Sequence, residues 1–345
     1  MMNPAASIFP RQLRVFFLVL LFVATRGLAF EWKTPPDKIT LLVVNSHPDD
    51  EGIFFGGALP YYSGVLQVPT LLLSMTSGDW HPTNLSIRED ELRNAAWIYG
   101  LRYEPIFLRF RDVPSHNMAG NPYTNKIDAT WDYWADGILQ GDGSDVAAGH
   151  EKAVNRVAEM IRRYRPEVII THDFNGEYGH DNHKATALVV SEAYYVAADP
   201  NATGTNLIGL PPWQARKLYV HLYQTNQLFH TGWETPRDEF GGKSARQIAN
   251  DGLDMHVSQN RPDVSTAYLT NENFNGYDSE RWGLFASTVG LDTVGTNDTF
   301  FEHINLVSAT NRAPEFFPKP VQTLIAIMNQ SYEGQTLARF ATDLD

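Results

Sequence analysis

Two short segments carry side chains whose types and spacing can do chemistry. The first is Ser46-His47-Pro48-Asp49-Asp50-Glu51, a histidine followed by three acids within one turn. Like charges so close repel, and a bound cation offsets that most simply. His47 and Asp50, three residues apart, can face one ion together if the turn is helical. The second runs His172-Asp173-Phe174-Asn175-Gly176-Glu177-Tyr178-Gly179-His180-Asp181-Asn182-His183. His180 and His183 are again three apart and can converge. Alone, each segment also fits a plainer account. The first can be a capped helix start, with Pro48 in the first turn and Ser46 and Asp49 as a capping box. The second can be a glycine-rich loop with a surface histidine pair. Together they offer two histidines and one aspartate with open positions left over, a donor set used by catalytic zinc.

The composition narrows the alternatives. The 345 residues include no cysteine, which excludes disulfides, thiolate metal sites, a cysteine nucleophile and iron–sulfur clusters. Any metal must be held by His, Asp or Glu. With 43% hydrophobic and 19% charged residues the chain can bury a core, and its formal charge of −13 argues against nucleic acid as a partner.

The elements that must position these segments follow from the apolar pattern. Lys38–Asn45 and Pro69–Met75 are continuous apolar runs, as in buried parallel strands. Pro105–Phe110, Val168–Thr171 and Lys217–Tyr223 add further strands. Ile87–Gly100, Glu151–Tyr164 and His183–Ala197 read as helices, and Pro48–Tyr62 has room for another. This alternation predicts an α/β fold: a Rossmann-like, mostly parallel sheet with helices on both faces. Both chemical segments directly follow strands, so the active site is expected at the carboxyl ends of the strands. Residues 111–149 break the rhythm. Trp131, Tyr133 and Trp134 there suit either sugar stacking or a hydrophobic cluster under a long loop.

Residues 1–29 carry three arginines, no acid and a ten-residue apolar run, Val15–Ala24. That run is short for a membrane helix and suits a signal peptide, with Gly27-Leu28-Ala29 placing cleavage before Phe30. An uncleaved anchor is the alternative, and membrane association is expected only then. Sequons at Asn84, Asn201, Asn297 and Asn329 agree with a secreted glycoprotein.

SHPDDE after one strand and GEYGHDNH after a later one resemble the LmbE/PIG-L zinc de-N-acetylases. Softer matches are Thr76-Ser77-Gly78-Asp79, the helix positions Arg88, Glu91, Ala95, Ala96 and Gly100, His256-Val257-Ser258-Gln259, and Ser279-Glu280-Arg281-Trp282. The resemblance implies a deacetylase domain over residues 30–285, with the 111–149 insertion and an unassigned extension at 286–345. It implies Zn2+ held by His47, Asp50 and His183, with Asp49 as general base towards water. His180 would stabilise the oxyanion or protonate the leaving amine, Tyr178 would add a hydrogen bond, and Arg88 and Asp79 would bind substrate. Arg88 otherwise suits a surface ion pair with Glu89 or Glu91. Where many bacterial members carry GHPDH, this chain has Asn182 in place of the acid, as in the glycosylphosphatidylinositol branch. His180 thereby loses a carboxylate neighbour, for which Asp173 or Asp181 is a candidate substitute.

The expected activity is removal of an N-acetyl or other small N-acyl group from an amino sugar or glycoconjugate by a secreted enzyme. Alternatives are an N-acetylglucosaminylphosphatidylinositol deacetylase anchored at the endoplasmic reticulum and a catalytically inactive carbohydrate-binding protein. His172 fits either an acidic site or a backbone-bonded strand end. His81, His116, His150, His221 and His230 show no partner pattern, and His256 is assigned to packing.

Overall fold

The computed structural model describes residues 31–79, 85–112, 126–138, 140–223, 227–229, 231–259, 280–293 and 299–304. The chain divides after Lys33, and all that follows concerns the compact unit from Thr34 onward. The amino-terminal segment and the sequons at Asn84, Asn297 and Asn329 lie outside the described residues, as do His81, His116 and His230.

Seven strands form one sheet in the order β3-β2-β1-β4-β5-β7-β6. They are β1 (Leu41–Asn45), β2 (Thr70–Thr76), β3 (Ile106–Phe110), β4 (Val168–Thr171), β5 (Lys217–His221), β6 (Gln227–Phe229) and β7 (Arg281–Ser287). The first five are parallel; β7 runs antiparallel to both β5 and β6. Between them lie α1 (Asp50–Ile53), a π-helical turn (Pro60–Val65), α2 (Leu85–Ile98), α3 (Lys126–Asp136), α4 (Val146–Tyr164), α5 (Asp181–Ala198) and α6 (Ala245–Leu253). β1 and β4 are neighbours although β2 and β3 intervene in sequence, so the chain order reverses between them. Ligand crevices form at such reversals.

Strand side chains alternate between faces. Leu42, Val44, Leu71, Leu73 and Ile169 share one core with Val157 and Ile161 of α4 and Val189 and Val190 of α5. Leu41, Val43 and Leu72 point to the other face and are just as buried, which explains the unbroken apolar runs. On one side α3, α4 and α5 pack in succession; α6 packs against α1 and α2.

The irregular 111–149 stretch contains a helix, α3, rather than only loop. Trp134 is buried against Phe110 (ring centroids 5.1 Å) and its indole N–H donates to the Arg111 carbonyl; Trp131 and Tyr133 pack on the same core. These aromatics therefore form the hydrophobic cluster, not a sugar platform. Gly149 allows the close α3–α4 crossing, since a Cβ there would lie 1.7 Å from the Trp131 carbonyl oxygen.

Two pieces of architecture were not expected. Residues 281–287 form a strand, so the sheet continues past residue 285. Beyond it, fully buried Lys217 pairs with Asp292, whose other oxygen accepts from the Tyr219 hydroxyl at 2.6 Å. Phe300 packs on Tyr219 and Tyr62, and its N–H donates to the Tyr62 hydroxyl. Residues 288–293 and 299–304 are thus fastened to β5.

Candidate metal centre

The β1 end delivers Ser46 to Asp50 into the crevice, and the β4 end delivers residues 172–183. His47, Asp50 and His183 meet there. His183 Nε2 lies 3.2 Å from His47 Nδ1 and 3.2 Å from Asp50 Oδ1, and His47 Nδ1 is 3.2 Å from Asp50 Oδ2. Two ring nitrogens and the two oxygens of one carboxylate, from two strand ends, therefore gather at one place. Among the described residues, the histidine and carboxylate groups that could hold a metal ion are His47, His180 and His183, and, overlapping them, Asp50, His172 and His183.

Outer bonds orient these donors. His47 Nε2 faces Asp112 Oδ1 at 3.1 Å, and His183 Nδ1 faces Glu177 Oε2 at 2.8 Å. A carboxylate on the far nitrogen of a ligating histidine fixes ring and tautomer. The His47 backbone N–H donates to Asp50 Oδ2 at 2.7 Å, which folds the first turn on itself. Asn182 donates to Asp112 Oδ1 at 2.7 Å, and its own oxygen accepts from Thr130. An acid at 182 would set a second carboxylate against Asp112; the amide supplies the donor needed there.

The three acids after His47 each have a separate task. Asp50 joins the histidines. Asp49 receives Arg88 Nη2 at 3.1 Å, and the same nitrogen donates to the Pro48 carbonyl. Glu51 accepts from the Asp49 N–H at 2.9 Å, the Tyr99 hydroxyl at 3.1 Å and His256 Nε2 at 2.9 Å. Asp49 itself has φ of 118°, a left-handed backbone that a non-glycine residue adopts only when its surroundings impose it. The expected capping box is absent: Asp49 makes no side-chain cap, and Ser46 Oγ instead bonds Thr186 on α5 at 2.8 Å.

Arg88 is buried and does not pair with Glu89 or Glu91 as a surface residue would. Glu89 binds Arg93 and Arg109, while Glu91 binds Ser258. Gly78 makes room for it, since a Cβ there would lie 2.1 Å from Arg88 Nη1. Asp79, expected at the substrate, has one oxygen on Arg111 and the other on the Asp112 N–H at 2.8 Å, so it anchors Asp112. His180 is half-buried at the crevice, its ring centroid 4.7 Å from that of His47 and 4.6 Å from that of His183. Tyr178 is 41% exposed, with its ring 5.3 Å from that of His180, which puts its hydroxyl within reach of a bound molecule.

Electrostatics separate the two aspartates. Burial, with Asp50 and Glu51 nearby, raises Asp49 to about 6 against the opposing pull of Arg88 and His256. Burial also opposes ionisation of Asp50, but His183, His47 and His172 hold it well below the usual carboxylate range. Burial alone would lower His47; Asp112 and Asp50 instead lift it to about 10, so the cluster demands positive charge at this point.

Several residues around the site went unassigned in the sequence. Asp112 stands just past the end of β3, a position comparable to the two motifs. His221 ends β5 and is fully buried on Glu177, not an ordinary histidine. His172 is bonded on both nitrogens, to the Ser46 N–H at 3.0 Å and to Glu177 at 2.8 Å. His256 does more than pack, since it supports Glu51. Only His150, paired with Glu192 near the surface, stays ordinary among the described members of that group. Asp181 pairs with Lys184 and Asp173 with Asn175, while Asp112 is directed at His47.

An α/β sheet with His and Asp donors converging at its carboxyl edge defines a Rossmann-like protein built for a metal ion. Residues 42–194 match the family described as PIG-L, GlcNAc-PI de-N-acetylase. Among curated relatives, a 1D-myo-inositol 2-acetamido-2-deoxy-alpha-D-glucopyranoside deacetylase of Thermobifida fusca is 34% identical over 52% of this chain and 60% of its own length. A second deacetylase of the same description, from Frankia alni, is 26% identical over 78% of this chain and 93% of its own. The chain spans about three fifths of the first curated relatives it matches. Among solved structures, the N,N'-diacetylchitobiose deacetylase of Pyrococcus horikoshii aligns with a TM-score of 0.47 and 19% identity, covering 81% of this chain and 93% of that one.

Proposed function

We propose that the chain is a zinc-dependent amide hydrolase that removes an acetyl, or another small acyl group, from the nitrogen of an amino sugar or glycoconjugate. The observation that carries this reading is the trio His47, Asp50 and His183, with donor atoms 3.2 Å apart and Asp49 beside them but turned to Arg88. Tetrahedral bonds of about 2.0–2.1 Å place neighbouring ligands roughly 3.3 Å apart, close to the separations of these nitrogens and carboxylate oxygens. Two imidazoles and a carboxylate also leave a position open, as a catalytic site needs. The deacetylase relatives, two of them named for acetamido-glucose substrates, support the substrate class.

Zinc held there supplies Lewis acidity towards an amide carbonyl and a water. The chain supplies the rest. Asp49 takes the proton of the attacking water, for which a carboxyl raised to about 6 is well matched at neutral pH. Arg88 holds that carboxylate in place through Nη2, with the same nitrogen on the Pro48 carbonyl. His180 delivers a proton to the departing amine or stabilises the oxyanion, and the exposed Tyr178 hydroxyl adds a hydrogen bond. Asp79 acts on the site through Asp112, which it anchors behind His47.

The proposed setting is the secretory pathway. The apolar run of 1–29 and the sequons support it, including Asn201 in the exposed turn after α5. Among the described residues no helix is long and apolar enough to cross a membrane. The test is expression of the full chain, with amine release measured on N-acetylglucosamine, N-acetylated oligosaccharides and acetamido glycolipids. Release is expected to stop with a chelator and return with added zinc. No release by zinc-loaded protein across the panel would overturn the reading. Amino-terminal sequencing of the same product is expected to begin at Phe30; residues 1–29 retained in a membrane fraction would favour the anchored alternative.

A further inference from the structure

Glu177 is fully buried, and the floor of the crevice is organised around it. Its Oε2 faces Nδ1 of His172 and Nδ1 of His183, both at 2.8 Å. Its Oε1 faces Nδ1 of His221 at 2.7 Å and accepts the Asp173 backbone N–H at 3.2 Å. A carboxylate offers about four lone-pair sites, and here all four are used. Because an ionised carboxylate only accepts, each of the three rings must present Nδ1–H to it. On its other side the His172 ring accepts the Ser46 N–H at Nε2 at 3.0 Å, and the same Nε2 lies 3.2 Å from Asp50 Oδ2. The bond from Ser46 ties the strand end that carries His47 to the one that carries His183.

We propose that Glu177 is the positioning residue of this site. It holds a proton on Nδ1 of three imidazoles, which turns His183 Nε2 towards His47 Nδ1 and Asp50 before a metal binds. Its consequence for catalysis rests on the zinc hydrolase reading above; the tautomers it imposes do not depend on any substrate. Glu177→Gln keeps the shape and removes the logic. The amide has one accepting oxygen and one donating nitrogen, so in either orientation at least one Nδ1–H meets a donor. That ring must turn or change tautomer, and the chain from His172 to Ser46 loosens with it.

The test uses the full chain and Zn2+ as the probe. Chelator competition is expected to show zinc affinity lowered roughly 10–100-fold in Glu177→Gln, as for other carboxylates behind ligating histidines. Two-bond proton–nitrogen spectra of the metal-free wild type, with nitrogen-15 in its histidines, are expected to show His172, His183 and His221 as Nδ1–H. At least one of them should shift in the variant. An unchanged zinc dissociation constant in cooperatively folded Glu177→Gln overturns the proposal. If the variant fails to fold, the wild-type spectrum decides, and His183 found as the Nε2–H tautomer overturns it. Wild type that binds zinc and shows the three tautomers, yet releases no amine from any acetamido sugar, upholds Glu177 and overturns the hydrolase reading alone.

Discussion

Asp49→Asn is expected to lower kcat for amine release by roughly 10²–10⁴-fold while leaving the zinc content of the protein unchanged. The two halves of this expectation rest on different facts. Activity should fall because the amide cannot take a proton from water, and Asp49 is the acid whose burial brings it to about 6. Metal should stay because the three convergent donors come from His47, Asp50 and His183, whereas Asp49 is held by Arg88. Asparagine keeps an oxygen for Arg88 and a donatable geometry on a left-handed backbone that it tolerates better than most residues. The fold should therefore survive, and a melting curve close to wild type is the control. Steady-state kinetics with metal analysis on the same preparation check it. Activity within an order of magnitude of wild type would remove Asp49 from the proton transfer; lost metal would make it a ligand.

Asp292→Ala is expected to destabilise the protein by about 3–5 kcal/mol, read by chemical denaturation of the full chain. The substitution strips Lys217 of its counter-charge while the ammonium stays fully buried in β5. It also leaves the Tyr219 hydroxyl without the 2.6 Å bond to Asp292 Oδ2. Removing one member of a buried pair costs far more than the pair contributes, because the remaining charge is desolvated and unpaired. Lys217→Met combined with Asp292→Leu should for that reason recover much of the loss. A single variant with wild-type stability would mean that the segment after β7 opens to water in solution.

The parts of this molecule that repeat a general rule were legible before its structure. Short apolar runs such as Leu41–Asn45, alternating with helical patterns, read as parallel strands buried on both faces and so located the sheet and its functional edge. The site motifs were legible because their donors are close in sequence: His47 and Asp50 share a turn, and so do His180 and His183. What escaped were partners joined by long loops. Asp112 reaches His47 across 65 residues, and no local pattern distinguishes it from any other aspartate after a strand. Glu177 lay inside a recognised motif, yet its task is defined by His221, 44 residues away. The run of three acids illustrates the same limit. Their mutual repulsion was visible, but only tertiary contacts show that Arg88, the imidazole trio and His256 divide them. β7 was missed because strand pairing with β5 overrides a weak local signal in a polar surrounding.

The bond between the Phe300 N–H and the Tyr62 hydroxyl bridges 238 positions, and that between His256 and Glu51 bridges 205. These spans bear on biosynthesis. A chain emerging amino end first makes His47, Asp49 and Asp50 early, but the support beneath Asp49 arrives only with residue 256 and the packing of Phe300 on Tyr219 of β5 only with residue 300. Such distant pairings are slow to form, because loop entropy must be overcome before the contact can reward it. During that interval Trp282, Tyr219 and Tyr62 await partners. The protein is thus expected to depend on folding assistance during its production to a degree that the stability of the finished fold would not suggest.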